Sequence, residues 1–264
     1  MSKIITERLG RVSVITIDRP ERMNALDYEV NQELIRAFED FEADPQACVA
    51  VVTGAGEKAF CAGADLKSYT LQYVTRPAPE FRTDYIDGPG FGGITRNFKG
   101  LKPVVAAING YCLSGGLEFA LATDIRFCSP NAEFGLQDVN WGFHPCDGGS
   151  IRLPQIVGLG HAMELLLSGE RIDAAHALRI GLVNRIHPQE ELLAKTIEFA
   201  QKLATRSPLA QRFAKDVVRR SVGMGMDEAL RMETRSFYDL AHTEDLREGV
   251  IAFKEKRAAN FQGR

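Results

Sequence analysis

The chain of 264 residues, with 45% hydrophobic and 25% charged side chains, has the composition of one large folded domain or of a domain with a small appendage. Its 32 basic and 35 acidic residues leave a formal charge of -3, which offers no global positive field to a polyphosphate duplex and argues against nucleic acid as a partner. No stretch approaches the roughly eighteen uninterrupted apolar residues of a spanning helix, and the N-terminal MSKIITERLG has no long apolar core, so neither membrane insertion nor secretion is expected and a cytoplasmic setting is.

In chain order, VSVITI (Val12 to Ile17) alternates apolar with small polar residues and predicts a strand. ALDYEVNQELIRAFEDFEAD (Ala25 to Asp44) puts Val30, Leu34, Ala37, Phe38 and Phe41 on one stripe of a helix. CVAVVTG (Cys48 to Gly54) is a nearly continuous apolar run closed by glycine, a second strand. The alternation returns with PVVAAING (Pro103 to Gly110), LEFALA (Leu117 to Ala122) and DIRFC (Asp124 to Cys128), so the first half reads as a wound α/β core. From Leu159 onward the pattern is helical, with little strand signal beyond LVNRI (Leu182 to Ile186). Glycine and proline mark loops at Thr75 to Gly93 and at FHPCDGG, Phe143 to Gly149. Cys48, Cys61, Cys112, Cys128 and Cys146 form no Cys-x-x-Cys pair and have no histidine at zinc-ligand spacing, so they read as reduced packing residues and no metal is expected.

Two glycine-bearing turns carry the chemistry. KAFCAGADLK (Lys58 to Lys67) follows a strand, and Ala62, Gly63 and Ala64 precede the helix-compatible DLKSY. NGYCLSGGLEFALATDIRF (Asn109 to Phe127) repeats the construction, with Gly115 and Gly116 at the expected helix start. Small side chains let a ligand reach the backbone, and the first turn of a helix leaves its amides unpaired. Two such amides, brought together, would hold one developing oxyanion.

In these two turns together, and from ITIDRPERMNALD (Ile15 to Asp27) to FKEKRAANFQGR at the C-terminus, the chain resembles the crotonase (enoyl-CoA hydratase/isomerase) superfamily. The resemblance implies an α/β crotonase-like (ClpP/crotonase) spiral of strand-strand-helix units over residues 1–200. It also implies a C-terminal helical trimerisation region, residues 201–264, that completes the coenzyme A pocket in a trimer or a dimer of trimers. The substrate would be an acyl-CoA thioester with coenzyme A as part of it, and no separate cofactor or metal is implied. The oxyanion hole falls on the amides of Ala64 and Gly115, where each donor is worth about 3 to 4 kcal/mol.

Glu118 sits in an otherwise apolar segment, three residues after Gly115 and on the same helical face. A glutamate there also reads as a complement to the helix dipole. Asp138, in FGLQDVNWG, occupies the position where the hydratases of the family carry a second glutamate. Two carboxyls around one water would add it across the 2,3 double bond of an enoyl-CoA. A side chain shorter by one methylene moves the carboxyl by about an ångström, enough to cost on the order of a hundredfold, so double-bond isomerisation stands as the alternative reaction. Trp141 reads as a wall of the acyl pocket or a trimer contact, and NWG resembles the stretch of members that act on aromatic acyl-CoAs. His144 reads as an added acid or base, a hydrogen-bonding partner for the acyl group, or a solvated loop residue; Asp147 has no role assigned.

For the coenzyme A portion the resemblance points to Arg22, Met23 and Ala25, and to Ala62, Asp65, Leu66 and Lys67 beside the first turn. Phe253 and Lys256 would reach the nucleotide end from a neighbouring subunit. Arg22 and Lys256 read equally as surface charges. The loop from Tyr69 to Lys99, with Tyr73, Phe81, Tyr85 and Phe91, is expected to form much of the acyl pocket. A serine hydrolase built on Ser114 fails at the elbow motif, since Cys112 replaces its first glycine. A non-catalytic acyl-CoA-binding scaffold is opposed by Glu118.

Overall fold

The computed structural model describes residues 2–69 and 75–264. Strands β1 (Ile4–Leu9) and β2 (Val12–Ile17) form a hairpin, and helix α1 (Tyr28–Ala43) leads to β3 (Val49–Gly54) and β4 (Ala59–Cys61). Then come β5 (Val104–Ile108), β6 (Tyr111–Leu113), α2 (Gly115–Ala122), β7 (Ile125–Cys128) and β8 (Glu133–Gly135). Helices α3 (Gly149–Val157) and α4 (Leu159–Ser168), strand β9 (Ile172–Asp173), helix α5 (Ala174–Arg179) and strand β10 (Arg185–Ile186) complete the sheets. The C-terminal layer is α6 (Leu192–Ala204), α7 (Pro208–Ser221), α8 (Met226–Ala241) and α9 (Glu244–Glu255).

The strands divide into two sheets, β1-β2-β3-β5-β7-β10 and β4-β6-β8-β9. Each winding contributes one strand to each sheet, β3 then β4, β5 then β6, β7 then β8, which is the expected spiral of strand-strand-helix units. In the larger sheet only β1 is antiparallel to its neighbour; β2, β3, β5, β7 and β10 run parallel. Parallel strands covered on both faces explain the unbroken apolar runs. Ile15, Ile17, Ala50, Val52, Ala106 and Ile108 turn to the core that contains α1. The alternate residues Val12, Val14, Val49, Val51, Val105 and Ala107 meet Leu192, Ala200 and Ala204 of α6. This is the two-residue side-chain period of a strand.

Helix α1 begins at Tyr28, where Asp27 accepts a hydrogen bond from the Val30 amide, a cap worth about 1 kcal/mol. The helix is therefore shorter at its N-terminal end than the stripe suggested, because Leu26 is held in a parallel bridge with Ala64. The strand signal of LVNRI reduces to Arg185 and Ile186. The boundary expected at residue 200 falls inside α6, which packs on the sheet as far as Ala204. Beyond it, α7 is tied to the core by Lys215, whose Nζ donates to the Lys102 carbonyl at 2.7 Å and the Asp124 carboxylate at 2.6 Å. All five cysteines are free, and all but Cys146 are buried.

Candidate active site

The first turn leaves β4 at Cys61. The Leu26 amide donates to the Gly63 carbonyl at 2.9 Å and the Asp65 amide donates to the Leu26 carbonyl at 2.8 Å. In such a parallel bridge the residue between the two bonds, Ala64, turns its own N–H to the opposite side, and that amide finds no backbone acceptor among the described residues. Gly63 has φ +98, a conformation glycine adopts without penalty. Where DLKSY suggested a helix, the chain makes a single turn, in which the Tyr69 amide donates to the Asp65 carbonyl at 2.8 Å. Arg19 anchors this turn by ion pairs to Asp27 at 2.9 Å and Asp65 at 3.3 Å.

The second turn leaves β6 through Ser114, held at φ 47 and ψ -121, a strained position for a residue with a side chain. Its amide donates to the Gly135 carbonyl, and its carbonyl accepts from the Leu117 and Glu118 amides. Gly115 and Gly116 thus lead α2 with amides that have no partner within the helix. The two turns lie backbone against backbone. A Cβ placed on Gly63 would stand 3.2 Å from the Gly115 nitrogen, and one on Gly116 would stand 2.0 Å from the Cys61 carbonyl oxygen. Phe91 closes over the junction, its ring 3.1 Å from where a Gly115 Cβ would sit.

Every residue of α2 is buried, and Glu118 in its first turn is only 3% exposed. Its Oε1 accepts from the Asp147 amide at 2.6 Å and the Gly149 amide at 2.8 Å. Burial, then the neighbouring Asp147 charge, push its pKa up to about 8 against those two amides, which favour the ionised form. Asp138, on the 3-10 turn Gln137–Trp141, is 4% exposed, and its Oδ2 has no hydrogen-bond partner. Burial raises the Asp138 pKa, opposed by its own amide, the Ser114 hydroxyl and His144. Asp138 and Glu118 also interact electrostatically. A buried carboxyl oxygen without a partner is unfavourable.

His144 is exposed and pairs through Nδ1 with the Pro145 carbonyl at 2.8 Å. Trp141 is 66% exposed at the end of its turn. Phe91, Tyr69 and Tyr85 pack edge to face, with Phe81 against Tyr85, while Tyr73 lies outside the described residues. Met23 and Asn24 take left-handed backbone. The Met23 carbonyl accepts from the Ala62 amide at 3.1 Å, so the stretch containing Arg22, Met23 and Ala25 lies directly beside the first turn. A cleft of ≈ 390 Å³ opens there between Pro20, Met23, Asn24 and residues 55–59. Arg22, Leu66 and Lys67 are exposed, while Asp65 is engaged by Arg19. Phe253 and Lys256 are exposed at the end of α9 and make no hydrogen bond or ion pair with these residues among the described ones. A larger surface groove of ≈ 610 Å³ runs along α8 and shares no residue with the carboxyl pair.

Three participants escaped the sequence reading. Asn24 is fully buried and donates to the Ala55 and Ala59 carbonyls, tying down the chain that leads into β4. Ser114 stands out only by its backbone angles. Asp147 binds Phe91, Thr95 and Arg96, contacts that join loops more than fifty residues apart and leave no local pattern.

The family model described as enoyl-CoA hydratase/isomerase matches residues 7–264. The chain is 41% identical over 261 residues to a carnitinyl-CoA dehydratase from Escherichia coli, covering 97% of each chain. It is 37% identical to a short-chain-enoyl-CoA hydratase from Clostridium acetobutylicum, covering 97% of this chain and 96% of the other. Among solved structures it resembles an enoyl-CoA hydratase from Mycobacterium tuberculosis at TM-score 0.90 and 31% identity, with 100% of both chains covered.

Proposed function

Since the chain belongs to the enoyl-CoA hydratase/isomerase family and is a hydratase-like hydro-lyase, we propose that Glu118 and Asp138 add water across the 2,3 double bond of an acyl-CoA while Ala64 and Gly115 hold the thioester oxygen. One observation carries this reading: the unpaired amides of two abutting turns stand beside a buried glutamate, with an unpartnered oxygen of a second carboxyl close by. Glu118, with its pKa pushed up to about 8, holds a proton at neutral pH. Burial raises the Asp138 pKa, and its own amide, the Ser114 hydroxyl and His144 oppose that rise; a carboxyl made more basic in this way, with its Oδ2 unpartnered, takes a proton from water. The new C–O bond forms at C3, and the electron pair of the double bond moves through C2 onto the carbonyl oxygen. Gly115 and Ala64 stabilise that charge, each amide by about 3 to 4 kcal/mol. Glu118 then delivers its proton to C2, and the reverse sequence eliminates water.

The cleft beside Met23 supports the assignment of Arg22, Met23, Ala25, Ala62, Asp65, Leu66 and Lys67 to the coenzyme A path. There Asp65 acts through Arg19 and the turn rather than as a free ligand. Exposed Phe253, Phe237, Tyr238 and Met226 on α8 and α9 support a homotrimer or dimer of trimers in which Phe253 and Lys256 reach a neighbouring subunit's site. Coenzyme A enters as part of the substrate.

The test is a turnover assay with crotonyl-CoA, a 3-enoyl-CoA and carnitinyl-CoA, the last included because of the Escherichia coli relative's name. Loss of conjugated thioester absorbance with crotonyl-CoA, or its appearance with carnitinyl-CoA and release of water, is the expected result. Conjugation gained only from the 3-enoyl-CoA would mean isomerisation instead. Turnover restricted to cyclic or aromatic enoyl-CoAs would assign Trp141 and Phe91 to a wider acyl pocket.

A further inference from the structure

Asp147 is as deeply buried as the two carboxyls, 3% exposed, yet no step of the hydration uses it. Its Oδ1 accepts from the Phe91 amide at 2.9 Å, the Thr95 hydroxyl at 2.9 Å, and Arg96 through Nε at 3.2 Å and Nη2 at 3.0 Å. The Cys146 thiol points to Oδ2 at 3.5 Å. The backbone of the same residue serves two more elements. Its amide donates to Glu118 Oε1, and its carbonyl accepts from Arg152 Nη1 at 3.1 Å, while Arg152 Nη2 donates to the Thr95 carbonyl at 2.6 Å. A buried ion is tolerated only when paired and hydrogen-bonded. A loop that had merely to turn needs no charge here.

We propose that the Asp147–Arg96 pair is a positioning device that fixes the Phe91 wall over the Gly115 amide in register with the Glu118 carboxyl. This rests on the proton-transfer reading of Glu118. The geometry is a closed circuit: Phe91 packs on the oxyanion turn, its amide binds the Asp147 side chain, and the Asp147 amide binds the carboxyl one helical turn from Gly115. Freeing either end lets the proton donor and the thioester pocket move independently. The pair also sets the local field. Titratable and charged groups around Glu118 are Asp147, Asp138, Cys146 and Arg152, with Arg96 and His144 one contact further away. Asp147 opposes ionisation of Glu118, and Arg96 offsets Asp147.

The test follows kcat/KM for crotonyl-CoA hydration against pH in the full-length enzyme. Asp147→Asn keeps the shape and an acceptor oxygen but leaves the Arg96 cation uncompensated. It should lower kcat by about 10- to 100-fold, the cost of an ångström-scale misplacement, with KM changed by less than about threefold. The alkaline limb that reports Glu118 should move to lower pH. Arg96→Gln leaves the Asp147 anion uncompensated and should move that limb to higher pH. Opposite displacements from the two halves of one pair are not produced by loop packing. Limbs that stay in place, or activity that falls only in step with the folded fraction measured by circular dichroism, would overturn the proposal. If Asp147→Asn does not fold, Arg96→Gln and Thr95→Val decide: a several-fold fall in kcat at constant KM supports positioning, and wild-type kcat in both refutes it. Glu118→Gln is measured in parallel. Wild-type turnover there would bring down the Glu118 reading and this inference together, whereas lost turnover without limb movement in the other variants refutes the positioning role alone.

Discussion

Replacing Glu118 by glutamine should produce two effects of opposite sign. The substitution keeps the side-chain volume and the oxygen that accepts from the Asp147 and Gly149 amides, and it removes only the ionisation. Turnover should fall by about 10²- to 10⁴-fold, the usual worth of a positioned proton donor. Stability should rise. The folded protein keeps Glu118 protonated up to about pH 8, against an ordinary value of 4.5, so folding takes up a proton throughout that window. The stability tied to the protonated form is complete below the unfolded value and is lost as pH rises through the folded one. At about 1.4 kcal/mol per pH unit, the wild type forfeits about 3 kcal/mol by pH 7 and a little more by pH 8. Glutamine forfeits none. Urea unfolding at pH 5 and pH 8 checks this, with the two proteins within about 1 kcal/mol at the lower pH and the variant ahead by about 3 kcal/mol or more at the higher, roughly 10 °C in Tm. A variant that gains nothing between the two pH values, or that turns over like the wild type, would refute the argument that burial governs this carboxyl.

Asp138→Asn should also lower crotonyl-CoA turnover by about 10²- to 10⁴-fold and remove the acidic limb of the kcat/KM profile, seen by initial rates across pH. Ser114→Gly should raise stability in urea by about 1 kcal/mol by relieving the strained backbone, while a lost hydroxyl beside Asp138 shifts the acidic limb upward. Gly116→Ala should destabilise the fold by about 3 kcal/mol or more, because its Cβ would lie 2.0 Å from the Cys61 carbonyl oxygen; denaturant melts give the number. Lys215→Met should cost about 1 to 3 kcal/mol, below the value of a fully buried pair because Asp124 is partly exposed and retains Arg219. Loss of helical signal ahead of the main thermal transition would show α7 parting from the core.

The wound α/β half was legible because its signals are local. The nearly continuous apolar run of Val49–Gly54, short and closed by glycine, is a strand with all six residues buried. The stripe Val30, Leu34, Phe38 and Phe41 turned to the core as its period required. Glu118 was conspicuous because a charged residue stood alone in an apolar helix. The helix-compatible residues Asp65 to Tyr69 form a turn instead, since local composition cannot show that Arg19, forty-six residues earlier, holds Asp65. Met23 and Asn24 likewise gave no sign of left-handed backbone, which buried hydrogen bonds from Asn24 hold in place.

By itself the amino-acid order determined the central strands β2, β3, β5 and β7, helices α1 and α2, the two glycine-bearing turns, and the isolation of one carboxyl in an apolar segment, because period, propensity and desolvation act over a few neighbouring residues. Only the tertiary structure decided that the Gly63 and Gly115 turns abut, that Asp138 presents an oxygen with no partner, and that Asp147 joins Phe91, Arg96 and Glu118. Those relations are distances between residues far apart in the chain, fixed by how the two sheets wind past one another, and no local pattern of side chains encodes them.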